Sequence, residues 1–258
     1  MDTPDVWGID GDIVAYRVAY VAQKDGETLE EACVGAQASL QSIINEVGTE
    51  GIIYLTDSKS NFRIAEACSA YPYKGNRAEV ENPSMLPEIK QWMIDTFQAE
   101  LQVGQEADDA LSIAACTKGH GIATIDKDLD GCPGVHYNWM KQALYYITEE
   151  EADRFFYTQM LTGDSTDNIP GLFKRTGKKA MPAIKDPLLG MGHPAEMYEY
   201  VKQVYLDAVE EKGMSSDDDD VTRWLLTQGR CLWMRRKENE LWTPYEWESR
   251  GDRGHPET

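Results

Sequence analysis

The chain has 258 residues, of which 41% are hydrophobic and 10% aromatic, enough to build a core and to exclude wholesale disorder. No apolar run approaches the ~20 residues of a membrane span, and the acidic start MDTPDVWGID lacks a basic region followed by an apolar stretch; a cytoplasmic protein with no membrane partner is expected. The net charge of −20 excludes a uniformly basic nucleic-acid surface, but the basic residues cluster at 74–77, 174–179 and 230–237, so a local basic path on an acidic body remains open.

Residues 5–10 (DVWGID) read as a short buried strand ending at Asp10. Residues 28–47 place Leu29, Cys33, Ala36, Leu40, Ile43, Ile44 and Val47 at helical spacing, with Gly48 as the cap. Residues 51–55 (GIIYL) form a second buried strand, two residues before Asp57. Residues 68–84, rich in Pro, Tyr, Asn and charge, have few apolar anchors and read as an exposed, mobile segment. Helices are expected over 85–99 and 106–117, the second with Glu106, Asp108 and Asp109 in its first turn. A third strand, 121–125, ends at Asp126, and 134–139 and 143–147 alternate as further strands. An amphipathic helix over 149–161 stops at Gly163. Beyond it come a loop with Asp164 and Asp167, a short helical element from about 177, a helix over 195–212, an acidic break at 217–220, a helix over 221–236, and a tail from about 240 with a disordered polar end.

Strands alternating with helices predict an α/β fold with a mostly parallel sheet covered on both faces. Ligands gather beyond the carboxyl ends of such strands, where Asp10, Asp57 and Asp126 fall. Acids at Asp10 and Asp12, at Asp57, at 106–109, at Asp126 and Asp128, and at Asp164 and Asp167 recur at these positions. Each group alone reads equally as a turn or a helix cap. Together they repel one another unless a cation neutralises them, and oxygen donors suit Mg²⁺ or Mn²⁺. Two such ions about 4 Å apart are the usual arrangement for phosphodiester hydrolysis. Asp130 points the other way if the third strand continues, and is left out. The five scattered cysteines form no C-x-x-C pair and the four histidines show no ligand spacing, which argues against a disulfide framework or a structural zinc site. In the segment Tyr73-Lys74-Gly75-Asn76-Arg77, Lys74 and Arg77 can approach one phosphate and Tyr73 can stack on a base; the bland alternative is an exposed basic turn.

The motifs IDGD (9–12), TDSKSNFR (56–63), YKGNR (73–77), EADDALSIAA (106–115), TIDKDLD (124–130) and GDSTDNIPG (163–171) together resemble the flap-endonuclease and 5′-exonuclease family, most closely its members from short-tailed phages. QGRCLWMRR (228–236) is a weaker likeness. The resemblance implies a PIN-like three-layer catalytic domain over 1–163, a mobile helical arch over about 64–100, and a helical, helix-three-turn-helix-like DNA-binding region with a tail over 164–258. It implies that Asp10, Asp57, Glu106, Asp108 and Asp109 hold one Mg²⁺ or Mn²⁺ ion, some through water, and that Asp126, Asp128, Asp164 and Asp167 hold a second. Asp12 lies where relatives vary. Lys74 and Arg77 would stabilise charge on the scissile phosphate, with Tyr73, Lys174, Arg175, Lys178 and Lys179 on the DNA.

In GLFKRTGKKA (171–180), Lys174, Arg175 and Thr176 replace the Gly-Ile-Gly of the family hairpin. Side chains there would replace a backbone cradle for phosphate, which weakens the expectation of a K⁺ ion. The implied activity is 5′→3′ hydrolysis of duplex DNA from 5′ ends or flaps, and of RNA primers in RNA–DNA hybrids, by a monomer in the cytoplasm of a phage-infected host. Two rivals remain. A haloacid-dehalogenase-like phosphatase would use Asp10 as a covalent nucleophile and Asp12 as its acid, but leaves EADD and YKGNR without a role. A catalytically inactive structure-specific DNA-binding protein would need lost ligands. A PIN-type ribonuclease shares the acidic sheet edge but lacks the arch segment.

Overall fold

The computed structural model describes residues 3–48, 50–77, 81–214 and 217–244. Strand β1 (Val6–Asp10) passes without a break into helix α1 (Gly11–Asp25), because the last strand residue is also the helix cap: Asp10 Oδ1 accepts the Ile13 N–H at 3.2 Å. Helix α2 (Leu29–Val47) starts at Thr28, which exchanges hydrogen bonds with Glu31 as a capping box. Strand β2 (Glu50–Asn61), the short helix α3 (Phe62–Glu66), helix α4 (Leu86–Phe97), strand β3 (Glu100–Gly104), helix α5 (Ala107–Lys118) and strand β4 (Gly121–Ala123) follow. A 3₁₀ turn over Lys127–Gly131 leads to strands β5 (Gly134–Asn138) and β6 (Ala143–Ile147).

The described strands lie in the order β3-β2-β1-β4-β5-β6. Neighbours from β3 through β5 are parallel, and β6 returns antiparallel to β5. The chain therefore builds outward from β1 to β3, then crosses to the other side of β1 as β4. That change of direction opens a crevice beyond the carboxyl ends of β1 and β4. Helices α1, α2 and α4 bury Val14, Ala19, Leu40, Ile43, Ile89 and Met93 against Ile9, Ile53 and Leu55 on one sheet face. Helix α5 covers the other face, with Leu111 packed beside Tyr54 and Ile122. The alternation of Ile53, Tyr54 and Leu55 between the two cores follows from the period-2 geometry of a strand. The expected three-layer α/β architecture is thus present.

Several elements differ from the sequence reading. Helix α1 was not anticipated, because its buried stripe is largely alanine (Ala15, Ala19, Ala22) while Tyr16, Tyr20 and Val21 are exposed. Strand β3 is an exposed edge, with Leu101 and Val103 outward, and lacks the apolar run of a buried strand. Asp217 to Asp220 do not break a helix. They begin one: Asp217 accepts the Asp219 N–H at 3.1 Å as the cap of α10 (Asp218–Leu232), and the other acids favour its positive end.

The contacts group the chain into two units. The sheet-bearing unit comprises Met1–Glu66, Lys74–Ala152 and Met234–Glu240. The second, helical unit comprises Ala67–Tyr73, Asp153–Trp233 and the described part of Leu241–Thr258. Helix α6 (Glu149–Thr162) brings Phe156, Tyr157, Met160 and Leu161 into this second core. Helices α7 (Gly171–Thr176) and α8 (Pro182–Lys185) are short; the helical element expected from about 177 corresponds to α8, which starts five residues later, and α7 precedes it. Helix α9 (Pro194–Glu211) contributes Val201 and Tyr205, whose hydroxyl donates to the Met160 carbonyl at 2.8 Å, and α10 contributes Val221 and Leu225. The tail residues expected to be disordered, from 245 on, lie outside the described residues, as do 78–80 of the expected arch.

Candidate metal centre

Thr124, just past β4, joins the two strand ends at the crevice. Its hydroxyl donates to Asp10 Oδ2 at 2.8 Å and accepts the Asp126 N–H at 3.0 Å. Asp126 in turn accepts the Asp128 N–H at 2.9 Å, starting the 3₁₀ turn. The strand does not continue past Asp126, so Asp130 is not on the far face of a strand; it accepts the Tyr145 hydroxyl at 3.1 Å. Thr56 Oγ1 of β2 accepts the Ala107 N–H at 2.8 Å and fixes the start of α5 beside these ends.

This scaffold gathers Asp10, Glu106, Asp108 and Asp126 into one group of interacting charges. Burial pushes the Asp10 carboxyl up to about 7, and the Asp12 charge adds to the effect. Burial likewise holds Asp108 well above the usual carboxylate range, reinforced by Asp10, Glu106 and Asp126. Burial alone would raise Glu106 too, but Arg63 and Lys74 outweigh it and hold it low. Lys74, whose backbone is left-handed at φ 55°, places its ammonium on Glu106 Oε1. Among the described residues, no three acidic, histidine or cysteine side chains are placed to enclose one ion. The donor set nevertheless fits Mg²⁺ or Mn²⁺: all oxygen, close enough to repel, and suited to an ion that keeps several waters.

The other candidates divide. Asp12 accepts the Thr56 N–H at 3.1 Å and pairs with Lys90 at 2.5 Å, stitching α1 to β2 and α4. Asp57 lies within β2, not beyond its end, and accepts the Lys59 N–H at 3.2 Å. Arg77 is exposed in a 3₁₀ turn, Gly75–Arg77. Asp164 and Asp167 belong to the second unit. There Asp164 accepts the Thr166 N–H at 2.7 Å, and its backbone exchanges two bonds with Ile169. The glycines at both ends of GDSTDNIPG serve this turn: a Cβ on Gly163 would lie 2.4 Å from the Ile169 carbonyl oxygen, and one on Gly171 2.4 Å from the Gly163 nitrogen.

Two assignments need correction. Asp109 was expected to ligate metal, but it is fully buried and its four acceptor directions are taken. Arg63 donates to both oxygens at 2.6 and 2.8 Å, and the backbone N–H groups of Glu106 and Arg235 donate at 3.1 and 3.2 Å. Burial would raise this carboxyl, but Arg63 outweighs it and holds it low. Asp109 is a positioning residue at the start of α5. Tyr73 was expected to stack on a base; its ring is instead buried in the second core, and its hydroxyl donates to Asp167 Oδ2 at 2.7 Å. Of the basic residues assigned to DNA, Arg175 pairs with Asp220 and lies over Trp224, and Lys178 pairs with Glu211 at 2.9 Å, whereas Lys174 and Lys179 are exposed.

Arg63 and Arg235 were not singled out in the sequence. Arg63 ends the TDSKSNFR motif and Arg235 lies in QGRCLWMRR, so both were visible as motif members without a partner. Arg235 brings Met234–Glu240 onto the first unit by bonding Gln105 at 3.1 Å and lying 3.6 Å over the Phe62 ring.

No family model matches the chain, and no curated protein matches it in sequence. Among solved structures it is similar to the bacteriophage T5 flap endonuclease in a pseudo-enzyme-product complex with DNA and metal ions, at 16% identity and a TM-score of 0.52, covering 87% of this chain and 98% of that chain. It is similar to the T5 5′-exonuclease with bound zinc at 18% identity and a TM-score of 0.50, covering 87% and 99%. It also resembles the catalytic core of Rad2 in complex with DNA substrate, at 14% identity and a TM-score of 0.52, covering 95% and 83%. The chain therefore has the fold of the 5′-exonuclease and flap-endonuclease structures, the fold its motifs imply.

Proposed function

We propose that this protein is a metal-dependent 5′→3′ exonuclease and flap endonuclease that hydrolyses phosphodiester bonds of duplex DNA. The observation that carries the reading is the group formed by Asp10, Glu106, Asp108 and Asp126 at the carboxyl ends of β1 and β4, with Lys74 delivered to it by the YKGNR segment. Structures of this fold hold DNA and metal ions, which supports the same ligands here.

Asp10, Glu106, Asp108 and Asp126 would hold a divalent ion, with Asp57 reaching it through water. Asp128 would join Asp126 on a second. When bound, Mg²⁺ or Mn²⁺ ions supply a hydroxide at neutral pH and neutralise the leaving 3′ oxygen. The chain's own residues orient and stabilise. Thr124 and the Ile13 N–H fix the Asp10 carboxylate. Asp109 and Arg63 fix the turn that presents Glu106 and Asp108. Lys74 rests on Glu106 and moves to the phosphate as charge builds there, joined by Arg77. The products carry a 5′ phosphate and a 3′ hydroxyl. Duplexes with a 5′ end or flap and RNA–DNA hybrids are the substrates, the protein acts as a monomer, and phage replication or recombination is the setting.

A duplex labelled differently at the two ends of one strand tests this. Early release of the 5′ label with Mg²⁺, abolished by chelator and by Asp128→Ala, is the expected result. DNA bound but uncut under every metal condition would sink the enzymatic reading in favour of a binding protein.

A further inference from the structure

On the sheet-bearing unit, an open cleft of about 260 Å³ is lined by Arg17, Lys127 and Lys141 together with Tyr145, Asp126 and Asp130. Its cations come from three separate elements: Arg17 from α1, Lys127 from the 3₁₀ turn after β4, and Lys141 from the turn between β5 and β6. All three are exposed, and none is ion-paired among the described residues. This is not for want of acids, since the chain has 45 acidic against 25 basic residues. Lys74, Lys90, Arg175, Lys178 and Lys202 all have carboxylate partners. The cleft is also held in shape. Arg17 reaches across to Met140 Sδ at 3.6 Å, and the Lys141 N–H bonds Asn138 Oδ1 at 3.0 Å, fixing the turn.

Resting on the nuclease reading above, we propose that Arg17, Lys127 and Lys141 bind backbone phosphate of the DNA strand next to the scissile bond. Three cations without carboxylate partners converging on one cleft suit a phosphodiester. The acids there do not oppose it. Asp130 accepts the Tyr145 hydroxyl, and Asp126, which also lines the cleft, accepts the Asp128 N–H at 2.9 Å, so the two acids stand against three cations. The same cleft is a poor seat for a free nucleotide. Its aromatic side chain, Tyr145, is already stacked on His136 at 5.3 Å, so that face is closed to a base. The site thus grips the strand by charge, without reading sequence, and adds a basic path at Asp126 separate from Lys74 and Arg77.

The test compares the full chain with the triple variant Arg17→Ala, Lys127→Ala, Lys141→Ala, and with Lys24→Ala, an exposed lysine at the end of α1. Binding of a fluorescent duplex with a 5′ flap is titrated over a range of salt with Ca²⁺ replacing Mg²⁺, and thermal melts confirm that the variants fold. The expected result is a Kd about tenfold weaker for the triple variant and a log K against log salt slope smaller by about one to two, with Lys24→Ala unchanged. Arg17→Lys should retain most of the affinity. Equal Kd and slope for the triple variant and the wild type overturn the proposal. So does unchanged DNA affinity with lost inhibition of cleavage by a 5′-mononucleotide, which would make the cleft a product site. If the wild type neither binds nor cuts DNA, the nuclease reading itself has failed.

Discussion

Asp108 and Asp109 are consecutive residues in the first turn of one helix, yet their carboxylates stand in opposite electrostatic situations. Asp109 is enclosed by a guanidinium and two backbone N–H groups, and its charge is compensated within the protein. Asp108 faces Asp10, Glu106 and Asp126, and burial with those charges disfavours its ionised form. A helix terminus can thus hold one acid that stabilises the fold and one that strains it, side by side. The strained acid is the one that gains from a bound cation.

The largest expected effect of separating the two falls on chemistry. Asp108→Ala should lower kcat about 10³-fold or more, the several kcal/mol that metal-held charge stabilisation supplies, without lowering the melting temperature of the metal-free protein. Steady-state cleavage assays and melts read both, and a destabilised but active variant would reverse the assignment. Asp109→Ala should do the opposite first. Stranding Arg63 in the interior is expected to cost about 3–5 kcal/mol in urea unfolding, and Arg63→Met with Asp109→Leu should recover part of it. An Asp109→Ala protein as stable as the wild type would contradict the buried pair.

Much of this was legible in sequence, and the exceptions have physical causes. The strands ending near Asp10 and Asp126 and the helix opening at Glu106 follow from apolar runs and caps. The acids at 106–109 were recognisable as a group, but residue type cannot tell Asp108 from Asp109. That distinction rests on Arg63, 46 positions earlier, and Arg235, 126 later, contacts that no local pattern encodes. Tyr73 was misjudged for the same reason, because its hydroxyl partner is 94 residues away. Helix α1 escaped because alanine carries little hydropathy, although it buries completely at Ala15, Ala19 and Ala22.

Asp10 gives a pH test of the strained region. Its folded carboxyl lies near 7 against an ordinary 3.8, so its stabilising contribution is complete below about pH 4 and is lost as pH rises through about 7. The metal-free protein should therefore lose melting temperature between about pH 4 and 7. Asp10→Asn should flatten that slope, and Mg²⁺ should raise the melting temperature more at the higher pH. An unchanged slope in Asp10→Asn would remove Asp10 from the strained group. The smallest effect belongs to the second unit, where Lys178 and Glu211 form an exposed pair. Lys178→Ala should change stability by no more than about 1 kcal/mol, and a larger loss in urea unfolding would show that exposed ion pairs there matter more than this account allows.

The claim that the acids at the sheet edge form a metal centre is tested most directly by calorimetric titration of the chelator-treated protein with Mn²⁺ at about pH 8, above the value of about 7 at which the Asp10 carboxyl ionises. The account predicts saturable binding by the wild type, unchanged in Lys178→Ala and abolished or greatly weakened in Asp108→Ala. A wild type that binds no Mn²⁺, or an Asp108→Ala protein that binds it as the wild type does, would contradict it.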